Sequence, residues 1–458
     1  MKKKNARGFV FKTDKGNFYF YDDKTGHVGK IVAHNEEIIY GTEEFSYLDT
    51  NEALITNMLE HLVTKQLILN VTEDCNMRCK YCVYSGNYTN NRVHSDIYMS
   101  EMVAKKSVKK YLEQFKIKRK YDISSQPIIS FFGGEPLLNF ELIKNIVKFV
   151  KDNYDGNVVY TVTTNGTLLS SEIADFFAAN NFDLTVSMNG REQEHDRLRV
   201  LRNGAGSYNI IEKNLSYIFE QYPDYYEQKV YFSVVYDTGS DMVDLERFFT
   251  EEKMFRNKLS SFSEVVSSFT NWYAQYDKTE KEKFISNRND LKEKFFSKIY
   301  SDDTINHVLR KMFGDMFVLI LNRRFCDNGK SEKLSILPYT GACIPGTKVS
   351  VGCDGKLYLC EKVNCANPIG NVDYWIDSKS IKGLLDEYNK VGVKCINCPI
   401  QSLCPSCYRL LMDNNGKLDM DQLNGCEKII RQFMEEFKNL YSLMEDGKDV
   451  YKIFFPTK

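Results

Sequence analysis

No apolar run in the chain reaches the roughly 20 residues that a membrane-spanning helix needs. The opening stretch, MKKKNARGFVFKTDKG, is basic but has no apolar segment behind it, so no secretory signal is expected. Charge of one sign is also missing: 61 Lys and Arg oppose 62 Asp and Glu, a net of -1. Without a basic field, neither nucleic acid nor an anionic membrane is an expected partner. Cysteine is absent from residues 1–74 and again from 83–325. These absences point to a cytoplasmic protein whose thiols are confined to two places. Of 13 cysteines, three fall in 75–82 and ten between Cys326 and Cys426. In a reducing compartment such close-set thiols read as metal ligands rather than disulfides.

The 458 residues are too many for one ordinary domain. Residues 1–65 form a small module in which GFVFKTD, NFYFYDD and GHVGKIVA alternate like short strands. LDTNEALITNMLEHLVTKQL then has helical spacing and offers Asp49 or Thr50 as N-cap. From residue 66 the pattern changes. QLILNVTE, PIISFFGGEP, NVVYTVTTNG, FDLTVSMNG and KVYFSVVYD read as strands, with helical segments between them. That alternation implies right-handed βαβ units and a parallel sheet, with chemistry at the carboxyl ends of the strands. Residues 250–335 have mostly helical period and no catalytic pattern. In 336–430 glycine, proline and cysteine become frequent, as in a region held by metal sites. An amphipathic helix, CEKIIRQFMEEFKNLYSLMEDG, follows.

Cys75, Cys79 and Cys82 form a CxxxCxxC run. Three thiolates can hold three irons of a [4Fe–4S] cluster and leave the fourth open. A zinc site is the alternative, and it would want a further thiolate or histidine, with His94 the nearest in sequence. Further motifs fall at the next strand ends: Gly133-Gly134-Glu135-Pro136, Thr164-Asn165-Gly166-Thr167 and Ser187-Met188-Asn189-Gly190. With these in order, the stretch from about Leu67 to Val235 resembles the radical S-adenosylmethionine (SAM) superfamily. The resemblance implies that Cys75, Cys79 and Cys82 bind the cluster and that Tyr81 lies beside adenine. It implies that the Gly133–Pro136 turn binds the SAM amino group, and that Asn165, Ser187 and Arg199 are further SAM contacts. Asn189 stands where that family usually has aspartate. His195-Asp196 falls where relatives carry a similar pair, and a structural role is expected for it.

Downstream, Cys343 is followed after eleven residues by Gly355 and after four more by Cys360. Cys395-x2-Cys398-x5-Cys404-x2-Cys407 and then Cys426 complete the set. This pattern resembles the SPASM extension of radical SAM enzymes, although relatives commonly have three residues between the last two central cysteines. The resemblance implies that Cys343, Cys360 and Cys407 hold one auxiliary cluster. Cys395, Cys398, Cys404 and Cys426 would hold a second, for three [4Fe–4S] clusters in all. Cys326, Cys353 or Cys365 could supply a fourth ligand to the first auxiliary cluster, or that site is open. A pair of zinc ribbons is the alternative for the whole set.

The fold class expected is α/β: a partial (β/α)6 TIM-like radical SAM barrel with a small N-terminal α+β module and a C-terminal Fe–S-bearing SPASM domain. The boundaries expected are a short peptide-recognition-like module at 1–65, a radical SAM core at 66–270, a helical connector at 271–339, a SPASM domain at 340–430 and a C-terminal helix at 431–458. Glu361, directly after Cys360, stands where sulfatase-maturing relatives place an aspartate base. With TGACIPGTKVSVGCDGKLYLCEK and the hairpin-like start, the chain is similar to maturases that join a cysteine sulfur to carbon. The implied partners are a Cys-containing precursor peptide with a leader and an electron donor such as flavodoxin or ferredoxin. A sulfatase-type maturase making formylglycine is the second expectation, and a zinc-binding adaptor the third.

Overall fold

The computed structural model describes residues 3–31, 38–40, 51–325, 343–395 and 397–455. The N-terminal strands are β1 (Lys3–Ala6), β2 (Gly8–Lys12), β3 (Phe18–Asp22), β4 (Val28–Ile31) and β5 (Ile38–Tyr40). β2, β3 and β4 make an antiparallel meander, as their alternation predicts, while β1 pairs in parallel with β5. The following helix is Glu52–His61. Its N-cap is Asn51, whose side chain accepts from the Ala53 amide at 2.8 Å. Asp49 and Thr50, the caps expected from sequence, lie outside the described residues.

The body of the protein is one sheet. β6 (Gln66–Thr72), β7 (Ile128–Gly133), β8 (Val159–Thr164), β9 (Asp183–Ser187), β10 (Val230–Tyr236) and β11 (Leu259–Glu264) pair in parallel in sequential order. Helices Glu101–Lys118, Phe140–Asn153, Ser171–Ala179, Tyr208–Gln221 and Met242–Glu251 fill the crossovers. The strands read as apolar runs because helices cover them: Leu67, Leu69, Ile129, Val162, Leu184, Phe232 and Val234 are all buried. Six parallel strands in sequential order are the radical SAM α/β arrangement that the motifs imply.

β11 was not visible in the sequence. LSSFSE is serine-rich and forms the sheet's edge, where only Leu259 is buried, so it lacks the apolar run of the inner strands. At the other side, β12 (Lys348–Val351) pairs in parallel with β6. β13 (Lys356–Tyr358), β14 (Gly370–Asn371) and β15 (Trp375–Ile376) follow as antiparallel neighbours. The C-terminal cysteine region therefore continues the central sheet. An unexpected helix, Ser378–Cys395, follows β15 and carries Cys395 at its end. Among the described residues no helix is long and apolar enough to cross a membrane.

The last long helix, Cys426–Glu445, packs on the N-terminal meander. Phe437 lies 4.6 Å from the Tyr21 ring and 5.4 Å from Phe9, and Tyr441 lies 5.3 Å from Phe11. Phe9, Phe11, Tyr21 and Phe437 are all buried and share the main core. Phe437→Ala should cost about 3–5 kcal/mol and expose residues 8–31 to limited proteolysis. A variant with unchanged denaturation midpoint and protease resistance would show that this packing contributes little.

Candidate active site

The predicted motifs meet at the carboxyl ends of β6–β10. β6 runs directly into the loop bearing Cys75, Cys79 and Cys82. The turn after β7 crosses this loop at close range. Gly133 has φ +151°, and a Cβ there would overlap the Thr72 carbonyl oxygen. A Cβ on Gly134 would overlap the Asp74 carbonyl in the same way. The glycines are required because the backbone of one turn lies against that of the other. The Gly134 and Glu135 amides donate to Thr72 O at 2.9 Å and Asp74 O at 2.8 Å.

Glu135 is buried and fully engaged. Its carboxylate accepts from Thr164 Oγ1 at 2.6 Å, the Asn165 amide at 2.7 Å and the Leu137 amide at 3.1 Å. Burial pushes its pKa up, and these donors oppose that. The side chain thus ties the β7 turn to the β8 turn and is not left for a ligand. Pro136 opens the short 3-10 turn Pro136–Asn139.

The thiols lie together. Cys75 is buried; Cys79 and Cys82 are half-buried. Burial raises Cys75 to about 12, with further increments from Glu135, Cys79 and Cys82, so the three sulfurs are within electrostatic reach of each other. Burial likewise raises Cys82 to about 11. Such thiols stay protonated unless metal displaces the proton. Asn165 Nδ2 lies 3.9 Å from Cys75 Sγ and donates to Asn76 Oδ1 at 2.9 Å. Tyr81 OH accepts from Arg199 at 2.6 Å and from Asn189 Nδ2 at 3.5 Å. Arg199 is buried, and its Nε has no partner among the described residues. Burial works against its charge, but Cys79 and Tyr81 outweigh that and raise its pKa. Ser187 is half-buried at the end of β9 and Asn189 follows it.

His195 behaves as a scaffold residue. Its Nδ1 accepts from the Asn189 amide at 3.2 Å, so Nε2 is the donor to Ser207 Oγ at 3.0 Å. Ser207 Oγ in turn donates to Arg199 O at 3.0 Å. Burial, followed by the Arg199 charge, holds His195 neutral. Asp196 Oδ1 accepts from the Ser207 and Tyr208 amides at the start of the next helix.

These residues suit a cluster with SAM: thiols within electrostatic reach of each other, a buried guanidinium edge with no partner among the described residues, and a tight glycine turn held against the thiol-bearing loop. Among the described residues no three His, Cys, Asp or Glu side chains converge to grip a single metal ion. His94 Nε2 lies 3.7 Å from Cys82 Sγ. Sequence reasoning offered His94 only as a zinc ligand; the spacing from Cys82 was the available signal.

The later cysteines separate into groups. Cys395, Cys398, Cys404 and Cys426 line one cavity of about 210 Å³ that also contains Ile400 and Ile429. Cys360 and Cys407 influence each other electrostatically, and burial first, then Glu361 and Cys407, raise Cys360 to about 11. Cys343 is exposed. Of the spare thiols, Cys353 donates to Asn70 O at 3.1 Å and Cys365 interacts with the Tyr358 side chain. Cys326 lies outside the described residues.

Glu361 faces the triad loop across a small cavity of about 80 Å³, whose walls include Tyr84, Tyr88, Phe132, Lys362 and Arg409. Glu361 Oε2 is buried with no hydrogen-bond partner among the described residues. Tyr84 OH donates to Glu361 O at 3.4 Å, and the Arg92 guanidinium stacks 4.0 Å over the Tyr84 ring. A wider trench of about 550 Å³ shares Val266, Ser268 and Arg409 with this cavity and leads outward past Lys428. Tyr84, Arg92 and Arg409 were not found by sequence reasoning, since none lies in a motif.

This is an α/β enzyme that gathers thiols and a buried arginine at the carboxyl edge of a parallel sheet. Residues 69–249 match the model of the Radical SAM superfamily, and this part of the chain is a radical SAM domain, with the iron–sulfur and SAM chemistry that the family implies. Comparison with curated proteins finds a cysteine-type anaerobic sulfatase-maturating enzyme of Clostridium novyi (strain NT), 27% identical over 86% of this chain and 96% of the relative. The radical SAM cyclopropyl synthase TigE of Paramaledivibacter caminithermalis is 22% identical over 94% of this chain and 87% of its own length. Among solved structures, native anSMEcpe with bound AdoMet aligns with a TM-score of 0.58 at 20% identity, over 82% of this chain and 98% of that one. That last likeness is one of fold.

Glu135→Gln should lower stability by about 1.5–3 kcal/mol, because it weakens a buried charged acceptor of three hydrogen bonds. Chemical denaturation of the full chain measures this, and a shift of less than a few tenths of a kcal/mol would contradict the tie between the two turns.

Proposed function

We propose that the protein oxidises a cysteine-containing peptide in the cavity between the triad loop and Glu361, joining the cysteine sulfur to carbon as a thioether. The observation that carries this reading is Glu361 Oε2, a buried carboxylate oxygen with no partner among the described residues, in a cavity that Tyr84 and Tyr88, downstream of the triad, also line. An unpartnered buried acceptor is costly and calls for a donor from the ligand. A carboxylate there suits removal of a proton from the reacting thiol.

Cys75, Cys79 and Cys82 would hold one [4Fe–4S] cluster, and Tyr81, Asn165, Ser187, Arg199 and the Gly133–Gly134 backbone would hold SAM. Cys343, Cys360 and Cys407, and then Cys395, Cys398, Cys404 and Cys426, would hold two auxiliary clusters. When bound, these groups supply a 5′-deoxyadenosyl radical that takes hydrogen from carbon, and an acceptor for the electron left behind. The chain's own residues position and exclude. Tyr84, Tyr88 and Phe132 give the cavity apolar walls, while Arg409 stands at its junction with the trench. The trench suits an extended peptide segment. A leader could add as a strand to the outer edge of β4, which has no strand partner among the described residues. An electron donor such as flavodoxin or ferredoxin would complete the system, and the cytoplasm suits its oxygen-sensitive chemistry.

A second reading, oxidation of a peptide cysteine to formylglycine, draws on the similarity to the Clostridium novyi sulfatase-maturating enzyme along most of both chains. Both readings use the same site, and the product separates them. Reconstituted enzyme, SAM and reductant are incubated anaerobically with any small cysteine-containing peptide found encoded beside the gene and, separately, with a sulfatase-derived cysteine peptide. A loss of two hydrogens with one thiol made unreactive supports the thioether. Replacement of sulfur by an aldehyde oxygen supports formylglycine, and unchanged mass of both peptides defeats both. Glu361→Gln should lower product formation by about 10²–10⁴-fold while SAM cleavage continues. Wild-type turnover in that variant would remove Glu361 from the proton transfer.

A further inference from the structure

The N-terminal meander reaches across the chain to the loop between Cys398 and Cys404. Asp23, just after β3, is buried beneath that loop. Its carboxylate oxygens accept from the Ser402 amide at 2.9 and 3.2 Å. Ser402 Oγ donates to Asp23 O at 2.8 Å and lies 3.2 Å from Asp23 Oδ2. Asp23 is held in turn by Arg7, whose Nε donates at 2.9 Å, and by Tyr21 OH at 3.1 Å. The ion pair is almost wholly enclosed, with side-chain exposures of 4% and 0%. The Asp23 charge is felt at Cys398.

The same meander grips the helix that begins at Cys426. Besides the aromatic contacts with Phe437 and Tyr441, the Asp14 amide donates to Ser442 Oγ at 3.0 Å, and Asn17 Nδ2 and Tyr19 OH each donate to Glu445 Oε1 at 2.8 Å. One small module therefore fixes two of the segments whose thiols line the 210 Å³ cavity: the Cys398–Cys404 loop and the Cys426 helix. The loop is made of short turns without a strand or a long helix of its own, and it is anchored by Ile400 and Leu403, both buried in the main core, as well as by Asp23.

We infer that Asp23 is a positioning residue for an auxiliary iron–sulfur site, setting the separation of Cys398 and Cys404 through Ser402. The N-terminal meander is thereby an integral part of that site, remote in sequence though it is. This rests on the reading that Cys395, Cys398, Cys404 and Cys426 hold a cluster. Outer groups that orient the ligands of a metal site typically change metal affinity by about 10–100-fold when removed. They also change the environment that sets a cluster's potential. An Asp23→Ala substitution leaves the Ser402 amide and Arg7 buried without their acceptor, so the loop must move to find water.

The test uses full-length protein reconstituted anaerobically: wild type, Asp23→Ala, Ser402→Ala and Cys404→Ser. Iron per chain is counted after a fixed challenge with an iron chelator, and the reduced proteins are compared by EPR with and without SAM. Wild type should retain about twelve irons, and Asp23→Ala about eight, having lost one cluster's worth. The SAM-sensitive signal of the triad cluster should stay intact in Asp23→Ala. Ser402→Ala keeps the amide bond to Asp23 and should release the same cluster faster than wild type but more slowly than Asp23→Ala. Equal iron retention and equal EPR signals in wild type, Asp23→Ala and Ser402→Ala would overturn the inference. Loss of all clusters together in Asp23→Ala, with Ser402→Ala like wild type, would also overturn it, since that marks general unfolding. Wild type with only about four irons, unaffected by Cys404→Ser, would defeat the cluster reading itself and the positioning role with it.

Discussion

β6 is paired on both sides, in parallel with β7 and in parallel with β12, and the placement of the thiols follows from those two ladders. From β6 the chain enters the triad loop directly. From β12 it reaches Cys353 and then, through the β13 hairpin, Cys360 and Glu361. Asn70, near the end of β6, reinforces the join: its Nδ2 donates to Ser350 Oγ at 2.7 Å and Val351 O at 3.1 Å, and its carbonyl accepts from Cys353. Two regions nearly three hundred residues apart thus share one pleated frame, and Glu361 meets the triad loop because their parent strands are hydrogen-bonded neighbours.

Much of this was legible locally. Inner parallel strands covered by helices are continuous apolar runs, so β6 to β10 could be read from sequence, and the motifs at their ends follow from strand direction. β11 was hidden because an edge strand needs little apolar surface. The Ser378–Cys395 helix was hidden because it stands among glycines, prolines and cysteines that suggest irregular chain, although its own spacing is amphipathic. Pairings such as β12 with β6, or Asp23 with Ser402, have no local signature. They depend on which surfaces meet after the sheet has formed, and only the coordinates reveal them. The motif residues themselves divided in an unforeseen way. Glu135 carries the motif's only charge, yet its side chain is spent on joining two turns. Arg409 belongs to no motif and borders the cavity, and Arg92, also outside any motif, stacks on Tyr84 in its wall.

That division has a physical basis. A buried polar group is stable when its partners lie within the protein, and such a group serves shape. Glu135 and Asp23 are of this kind, each closing a set of bonds between segments distant in sequence, and buried His195 does the same over a shorter reach. A buried polar atom without a partner carries a desolvation cost that folding does not recover. Among the described residues Arg199 Nε and Glu361 Oε2 are of this second kind, and both lie around the triad loop and the cavity beside it, with the His94 ring against Cys82 as a third polar group there. Others, such as Thr250 Oγ1, lie on elements far from the thiols, so an unpartnered atom alone does not identify a site. What distinguishes the three is convergence: a guanidinium edge near Cys79, an imidazole at Cys82 and a carboxylate beyond Tyr84.

The two kinds of group depend on each other. Unsatisfied atoms persist only if the surrounding structure prevents them from turning to find partners or water. The ties made by Glu135 and His195 hold the β7, β8 and β9 turns where Arg199 and Asn189 must meet Tyr81. The Arg92 stack on Tyr84 braces the wall beside Glu361 in the same sense. Catalysis by a reactive radical needs this arrangement more than ordinary acid–base chemistry does, because an enclosed, rigid site limits what the radical can reach. The stability spent on leaving a few atoms unpartnered is thus returned as selectivity, and the polar network around the sheet edge is the structure that permits it.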